Sequence, residues 1–240
     1  DLIVFDRGVD MKETKRNESC VETCLPGSQE MGLTQEEKKL LKENSKEVVF
    51  SPGETVIKQG TFASHVFCLN SGLVKVVLES QNDKRVALKL LASQSFFGVP
   101  FLESEYFHFG AEAMKRSSIC QIRKEAFRRV MDQNPHTARF VMEWYSRNYL
   151  DLFRKLEISS TRNSHGKLAS TLCDLNDPIY RNEDVFACLN RGDLAELSSI
   201  SRESTNKILK EFENDRLIHV SSRGFEIIQP ELLRRLSFIG

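Results

Sequence analysis

The spacing of apolar positions changes along the chain, and each change marks a different kind of element. Residues 12–31 are polar, are broken at Pro26-Gly27 and carry no apolar stripe, which reads as an arm outside the main core. Leu33-Thr34-Gln35-Glu36-Glu37 then opens a helix to about Asn44, with Thr34 as N-cap and Glu37 closing a capping box. Over 47–122 the apolar residues fall in short β-rich runs at 48–50, 55–57, 65–69, 73–78, 86–91 and 118–122, punctuated by turns such as Ser51-Pro52-Gly53, Gln59-Gly60, Ser71-Gly72 and Phe97-Gly98. Many short strands at close spacing predict an antiparallel jelly roll.

Asn134-Pro135 supplies an N-cap followed by Pro at the first helical position, and the helix it opens meets no Gly or Pro before about Ser159. Met142, Tyr145, Tyr149, Leu152 and Leu156 step along it by 3, 4, 3 and 4, the spacing of a coiled-coil seam and so of a dimer interface. Val141, Trp144 and Phe153 broaden the apolar face enough for it to pack on the β-domain instead. Beyond Arg162 the pattern predicts a helix over 166–175, a strand over 185–189 and two close helices over 192–198 and 202–215. A hairpin pairing 217–220 with 225–228 and a last helix over 231–238 complete it. That order is a winged helix-turn-helix, and the fold class is α+β. The expected division is an arm (1–30), an effector-sensing β-roll (31–133), a dimerisation helix (134–161) and a DNA-binding domain (162–240).

The stretch from Asp193 to Lys210 fits a helix-turn-helix position by position. Ala195 is small where two helix backbones approach; Leu194, Ile200, Ile208 and Leu209 share the inner face; Ser201 caps the second helix. That helix offers Arg202, Glu203, Asn206 and Lys207 from its first turns, with Ser201, Ser204 and Lys210 beside them and Arg223 on the wing. Arg or Lys donates to guanine O6 and N7, Glu accepts from cytosine N4, and Asn pairs with adenine. The same spacings, Glu203 to Lys207 and Lys207 to Glu211, also suit i,i+4 ion pairs on a solvated helix. Ser199 stands in the turn where Gly is usual, at a modest cost in strain.

Composition narrows the function classes. Lys+Arg and Asp+Glu are both 34 in 240 residues, net charge +0, so any nucleic-acid binding comes from a local patch. The hydrophobic fraction of 40% suffices for one or two ordinary cores. No apolar run approaches the ~18 residues of a bilayer span, and Asp1, Asp6 and Arg7 interrupt the first residues, unlike a signal peptide. The expected location is the cytoplasm, with no membrane partner. Six scattered cysteines are too few for a disulfide scaffold. No Ser/His/Asp arrangement, P-loop, G-x-G-x-x-G or H-E-x-x-H occurs, so the chain is not expected to be an enzyme.

The order β-roll, long helix, winged helix-turn-helix resembles the CRP/FNR family of bacterial transcription regulators over 31–240. The resemblance is carried by Gly53, Gly60, Gly72 and Gly98 of a cyclic-nucleotide-binding-like roll and by Ser201-Arg202-Glu203-Ser204-Thr205 in the recognition helix. It implies a homodimer paired through its long helices, recognition helices in successive major grooves of a pseudo-palindromic promoter site, and RNA polymerase as a further partner. By motif match, Arg202, Glu203 and Lys207 occupy the base-reading positions. A ligand-binding module without independent DNA binding is the alternative.

The effector cassette departs from the family's pattern. Where cyclic-AMP binders place a Glu on the ribose and an Arg-Ser pair on the phosphate, the run Gly98-Val99-Pro100 and Phe109-Gly110 puts Val99, Phe109 and Gly110. On the long helix, Leu152 and Phe153 replace the Thr-Ser pair used on adenine. An anionic phosphate buried without Arg costs several kcal/mol, so cyclic AMP is not expected in the usual mode. An apolar remnant is filled core, or it accepts a hydrophobic ligand or haem, the last needing an axial ligand such as His65, His108 or Cys68. The FNR branch holds an iron–sulfur cluster on arm and roll cysteines; Cys20, Cys24 and Cys120 are the counterparts, one arm cysteine short, and Cys20–Cys24 is also a candidate redox pair.

Overall fold

The computed structural model describes residues 31–80, 85–221 and 224–239. Helix α1 (Gln35–Glu43) begins at Thr34, whose Oγ1 accepts from Glu37 N at 3.2 Å while Glu37 Oε2 accepts from Thr34 N at 2.8 Å, the reciprocal cap that the sequence predicts. Two four-stranded antiparallel sheets follow. One runs in the order β1 (Ser45–Phe50), β8 (Ser117–Arg123), β3 (His65–Ser71), β6 (Phe96–Phe97); the other runs β2 (Thr55–Ile57), β7 (Gly110–Ala113), β4 (Val74–Glu79), β5 (Arg85–Leu91). Phe67, Leu69, Val74, Val76, Phe97 and Ile119 fill the core between them. Gly72 turns β3 into β4 at φ +114°, and a Cβ there would fall 2.6 Å from Ser117 Cα, so only glycine lets this turn approach the start of β8 so closely.

Helix α2 (Lys124–Gln133) leads into the long α3 (Pro135–Thr161), which starts where Asn134 Oδ1 accepts from His136 N at 2.9 Å. Phe140 and Val141 on its first turns pack with Phe96, Phe127 and Val130 of the roll. Then come α4 (Ser164–Leu175), α5 (Val185–Cys188), α6 (Arg191–Ser198), α7 (Arg202–Asn214), the hairpin β9 (Ile218–Ser221) with β10 (Gly224–Ile227), and α8 (Pro230–Ile239).

The predicted strand over 185–189 is instead the single-turn helix α5. A four-residue apolar run carries no period that separates strand from helix. Here its backbone runs against the wing, where a Cβ on Gly224 would fall 2.7 Å from the Phe186 carbonyl carbon.

One apolar cluster crosses from the roll to the C-terminal helices. Leu73, Val77, Ala87 and Leu90 of the second sheet share it with Leu168, Leu172, Leu194, Leu197, Ile208 and Phe212. Each fully buried Leu in such a cluster contributes about 1.5–3 kcal/mol, so the helix-turn-helix is held against the outer face of β4 and β5.

Candidate nucleic-acid interface and sensor cavity

Helix α6 is nucleated by Asn190, whose Oδ1 accepts from Gly192 N at 2.7 Å and Asp193 N at 3.1 Å, while Asp193 Oδ2 accepts from Asn190 N at 2.9 Å. It ends at Ser199, which adopts the left-handed conformation at φ 54°, so that Ile200 N donates to Ala195 O at 3.1 Å. Two residues later Ser201 Oγ accepts from Ser204 N at 3.0 Å and starts α7. Thr205, Ile208, Leu209 and Phe212 face inward.

Arg202, Glu203, Lys207 and Lys210 are exposed on the opposite face, with Ser204 and Asn206 half-buried between them. Lys207 Nζ lies 4.0 Å from Glu211 Oε1 and its side chain is 77% exposed, a loose pair that leaves the ammonium available to an anion. The Arg202 guanidinium folds back over α6, where a Cβ on Gly192 would sit 2.5 Å from Nη2. Arg191 Nη1 donates to Asn206 Oδ1 at 3.4 Å, a contact that a base edge would have to displace. Arg223 lies outside the described residues, between the two wing strands.

Behind this surface lies a buried ion cluster. Lys75, on β4, donates from Nζ to Asp193 Oδ1 at 2.6 Å and to Glu196 Oε2 at 2.9 Å; its side chain is 3% exposed. Burial pushes its pKa down, and the two carboxylates raise it by more, so the net direction is upward. Asp193 thus caps its own helix with one oxygen and holds the roll with the other. The only sequence signal is a lysine in the apolar run Val74-Lys75-Val76-Val77.

A cavity of about 710 Å³ lies between the second sheet, the inner face of α3 and the helices α4 and α6. Of the expected pocket residues, Pro100, Phe109 and Leu152 line it. Val99 is fully buried in the core beside Phe127 and Val130, Gly98 and Gly110 are buried in the backbone beneath, and Phe153 stacks edge-on to Tyr149 at 4.4 Å on the exposed side of α3. Gly98 sits at φ +84° with the Phe67 ring 2.9 Å from where a Cβ would be, so this turn admits no side chain.

Two lysines that carry no sequence motif, Lys89 and Lys155, also line the cavity. Lys89 Nζ contacts Asn148 Oδ1 and lies 5.8 Å from the centre of the Trp144 ring. Lys155 Nζ donates to Ala87 O at 2.5 Å, Leu88 O at 3.0 Å and Leu197 O at 3.0 Å. Burial lowers both pKa values, that of Lys155 to about 8.

Of the candidate axial ligands for haem, His108 lines the cavity, with Nε2 at 2.9 Å from Ser104 Oγ; His65 and Cys68 lie on β3 outside its lining. Cys120 is buried on β8 and disulfide-bonded, which takes its sulfur out of the thiolate form a metal ligand requires. Cys20 and Cys24 lie outside the described residues. Burial pushes the Cys173 thiol up to about 11. Among the described residues no group of His, Cys, Asp and Glu could hold a metal ion, and no helix is long and apolar enough to cross a membrane.

Of the expected seam, Met142, Tyr149, Leu152 and Leu156 are exposed by 70%, 62%, 53% and 62%, and Tyr145 OH donates to Val99 O at 3.3 Å. The first turns of α3 therefore pack on the roll, while the later ones carry an uncovered apolar face.

Residues 47–134 match the cyclic nucleotide-binding domain, and residues 166–236 match the Crp-like helix-turn-helix domain. The chain is 24% identical over 179 residues to the cAMP-activated global transcriptional regulator CRP of Pasteurella multocida, covering 72% of this chain and 85% of that protein. A putative transcriptional regulator of the crp/fnr family from Eubacterium rectale superposes with a TM-score of 0.72 at 17% identity, over 86% of this chain and 96% of that one. FixK2 from Bradyrhizobium japonicum superposes with a TM-score of 0.69 at 15% identity, over 80% and 96%.

Proposed function

Because the chain belongs to the CRP/FNR family of transcription regulators, we propose that it binds a pseudo-palindromic promoter site as a homodimer and couples that binding to a signal other than cyclic AMP. The observation that carries this reading is the first turns of α7, where Arg202, Glu203 and Lys207 stand exposed beyond a capped and fully packed turn. Such a helix enters the major groove by its N-terminal residues. Ser201, Ser204, Asn206, Lys210 and Arg223 complete the proposed contact set.

The uncovered stripe Met142, Tyr149, Leu152 and Leu156 supports pairing with a second copy, since its heptad spacing suits packing against the same stripe on an identical helix related by a two-fold axis. Pairing would set two recognition helices about 34 Å apart, one DNA turn. RNA polymerase is the further partner at such a site. The regions 1–30, 31–133, 134–161 and 162–240 are proposed as arm, sensor, dimer helix and DNA-binding unit.

The cyclic-nucleotide phosphate position offers Phe109 and Gly110 and no guanidinium, which supports a different effector. Of the residues expected in the effector pocket, Pro100, Phe109 and Leu152 border the proposed site and the buried Gly98, Val99 and Gly110 lie behind them, while Phe153 stands on the exposed side of α3.

The test is fluorescence anisotropy on a duplex selected from a random pool and on an unselected duplex. Wild type is expected to prefer the selected duplex, with an affinity that falls steeply with salt as phosphate counterions are released. Lys207→Ala should cost about 1–3 kcal/mol on the selected duplex and little on the other. Equal losses on both would remove Lys207 from base reading; no DNA binding at all would make the chain a ligand-binding module.

A further inference from the structure

Resting on the reading of the roll as a sensor, we propose that the cavity along α3 binds an amphipathic organic acid, its carboxylate on Lys89 Nζ and its apolar body among Phe97, Phe101, Phe109 and Tyr149. Lys89 is the reason for the charge. Its ammonium is half-buried at the cavity wall, and among the described residues no carboxylate lies within ion-pair distance of it. Its partners are the Asn148 amide oxygen and the face of Trp144. Asn148 cannot turn away, because its Nδ2 donates to Trp144 O at 2.7 Å. Trp144 in turn is fixed by Nε1 donating to Phe96 O at 2.9 Å.

A half-buried cation with one neutral acceptor is partly desolvated without a counter-charge, so an entering anion gains more there than at a fully exposed lysine. The nearest acid acting on it is Asp151, one turn along α3 and exposed. Lys155 is no competitor, because its donors are taken by three backbone carbonyls. Of the other charges lining the cavity, Arg154 and Asp174 are paired with each other at 2.7 Å, while Asp151, Lys167 and Asp177 border it too, so the Lys89→Met variant is what separates Lys89 from Lys167 as the partner of an anion.

The rest of the wall sets the body of the ligand. Phe101 packs on Phe109 at 4.6 Å, and Phe97, Tyr145, Tyr149 and Leu152 extend the apolar lining. The inner-face residues Trp144 to Ile158 span roughly 21 Å of helix at 1.5 Å per residue, so the cavity is long. Its volume of about 710 Å³ lies within the range of small-molecule sites. A cyclic nucleotide would set its sugar and base polar groups against these rings.

Calorimetric titration of the full chain with decanoate and with 2-naphthoate tests the proposal, with decanol, 2-naphthol and cyclic AMP as comparisons. At least one acid is expected to bind tenfold or more tighter than its alcohol. Lys89→Met should bring the acid down to the alcohol's affinity, and Asn148→Asp, which supplies an internal carboxylate beside Lys89, should do the same without removing the lysine. The proposal is overturned if neither acid binds, if acid and alcohol bind equally, if both variants keep the preference, or if cyclic AMP binds tighter than either acid. Anisotropy on the selected duplex without any acid separates the two failures. DNA binding retained with no acid binding refutes the ligand class alone, whereas loss of DNA binding refutes the regulator reading itself.

Discussion

Lys75 occupies a strand position that alternation would give to an apolar side chain, and it is tolerated there because two carboxylates on α6 meet it. Asp193 is nearly as buried as the lysine, while Glu196 retains 24% of its side-chain exposure. Lys75→Met would leave Asp193 buried without a cation, and breaking such a pair costs about 3–5 kcal/mol. The partial exposure of Glu196 places the expected loss at the lower end, read as a fall in the urea midpoint at unchanged slope. Ser199 is a second residue-scale case. Its αL conformation follows from the turn geometry that the sequence pattern demands, and it persists without glycine because Ile200 N and the inward-facing residues of α7 fix the backbone around it.

At the scale of elements, α3 carries two apolar surfaces that its sequence superimposes. Phe140, Val141 and Trp144 pack on the roll, whereas Met142, Tyr149, Leu152 and Leu156 are exposed, with Tyr149 and Leu152 at the border of the cavity. Both readings of its broad apolar face were legible because a helix of 27 residues has room for two stripes. Tyr149→Lys would put an ammonium into the proposed seam beside Phe153, and the variant is expected to sediment as a monomer and to lose high-affinity binding to the selected duplex. A dimer mass for that variant would move the interface to another face. The strand expected over 185–189 failed for the opposite reason: four residues are too few to show a period, and the packing against the wing decided the backbone.

For the whole molecule, Lys155 is the side chain that ties the parts together, reaching from α3 to carbonyls on β5 and α6 at once. Burial lowers its pKa from 10.5 to about 8, with Asp174 opposing the shift. Between about pH 8 and 10.5 the unfolded chain therefore holds a proton that the folded one has released, so stability attributable to Lys155 rises with pH across that window. The unfolding free energy of wild type relative to Lys155→Met should accordingly increase by up to about 1.4 kcal/mol per pH unit there. Lys89 shifts in the same direction in both proteins and cancels from the difference. A flat or falling difference in chemical denaturation would contradict the burial of this amine.

What the sequence determined by itself is whatever depends on near neighbours. The caps at Thr34, Asn134 and Ser201 and the left-handed turn at Ser199 are set by contacts within a few residues, which a linear pattern displays. The antiparallel roll and the order of its successors follow from the same local periods. The tertiary structure alone decided that the helix-turn-helix rests on the outer face of β4 and β5, that Lys75 meets Asp193 across 118 residues of chain, and that Lys89 and Lys155 border one cavity. Such pairings leave no periodic trace. A buried lysine is permitted or forbidden by the dielectric and the donors and acceptors around it, and these exist only once distant elements have packed.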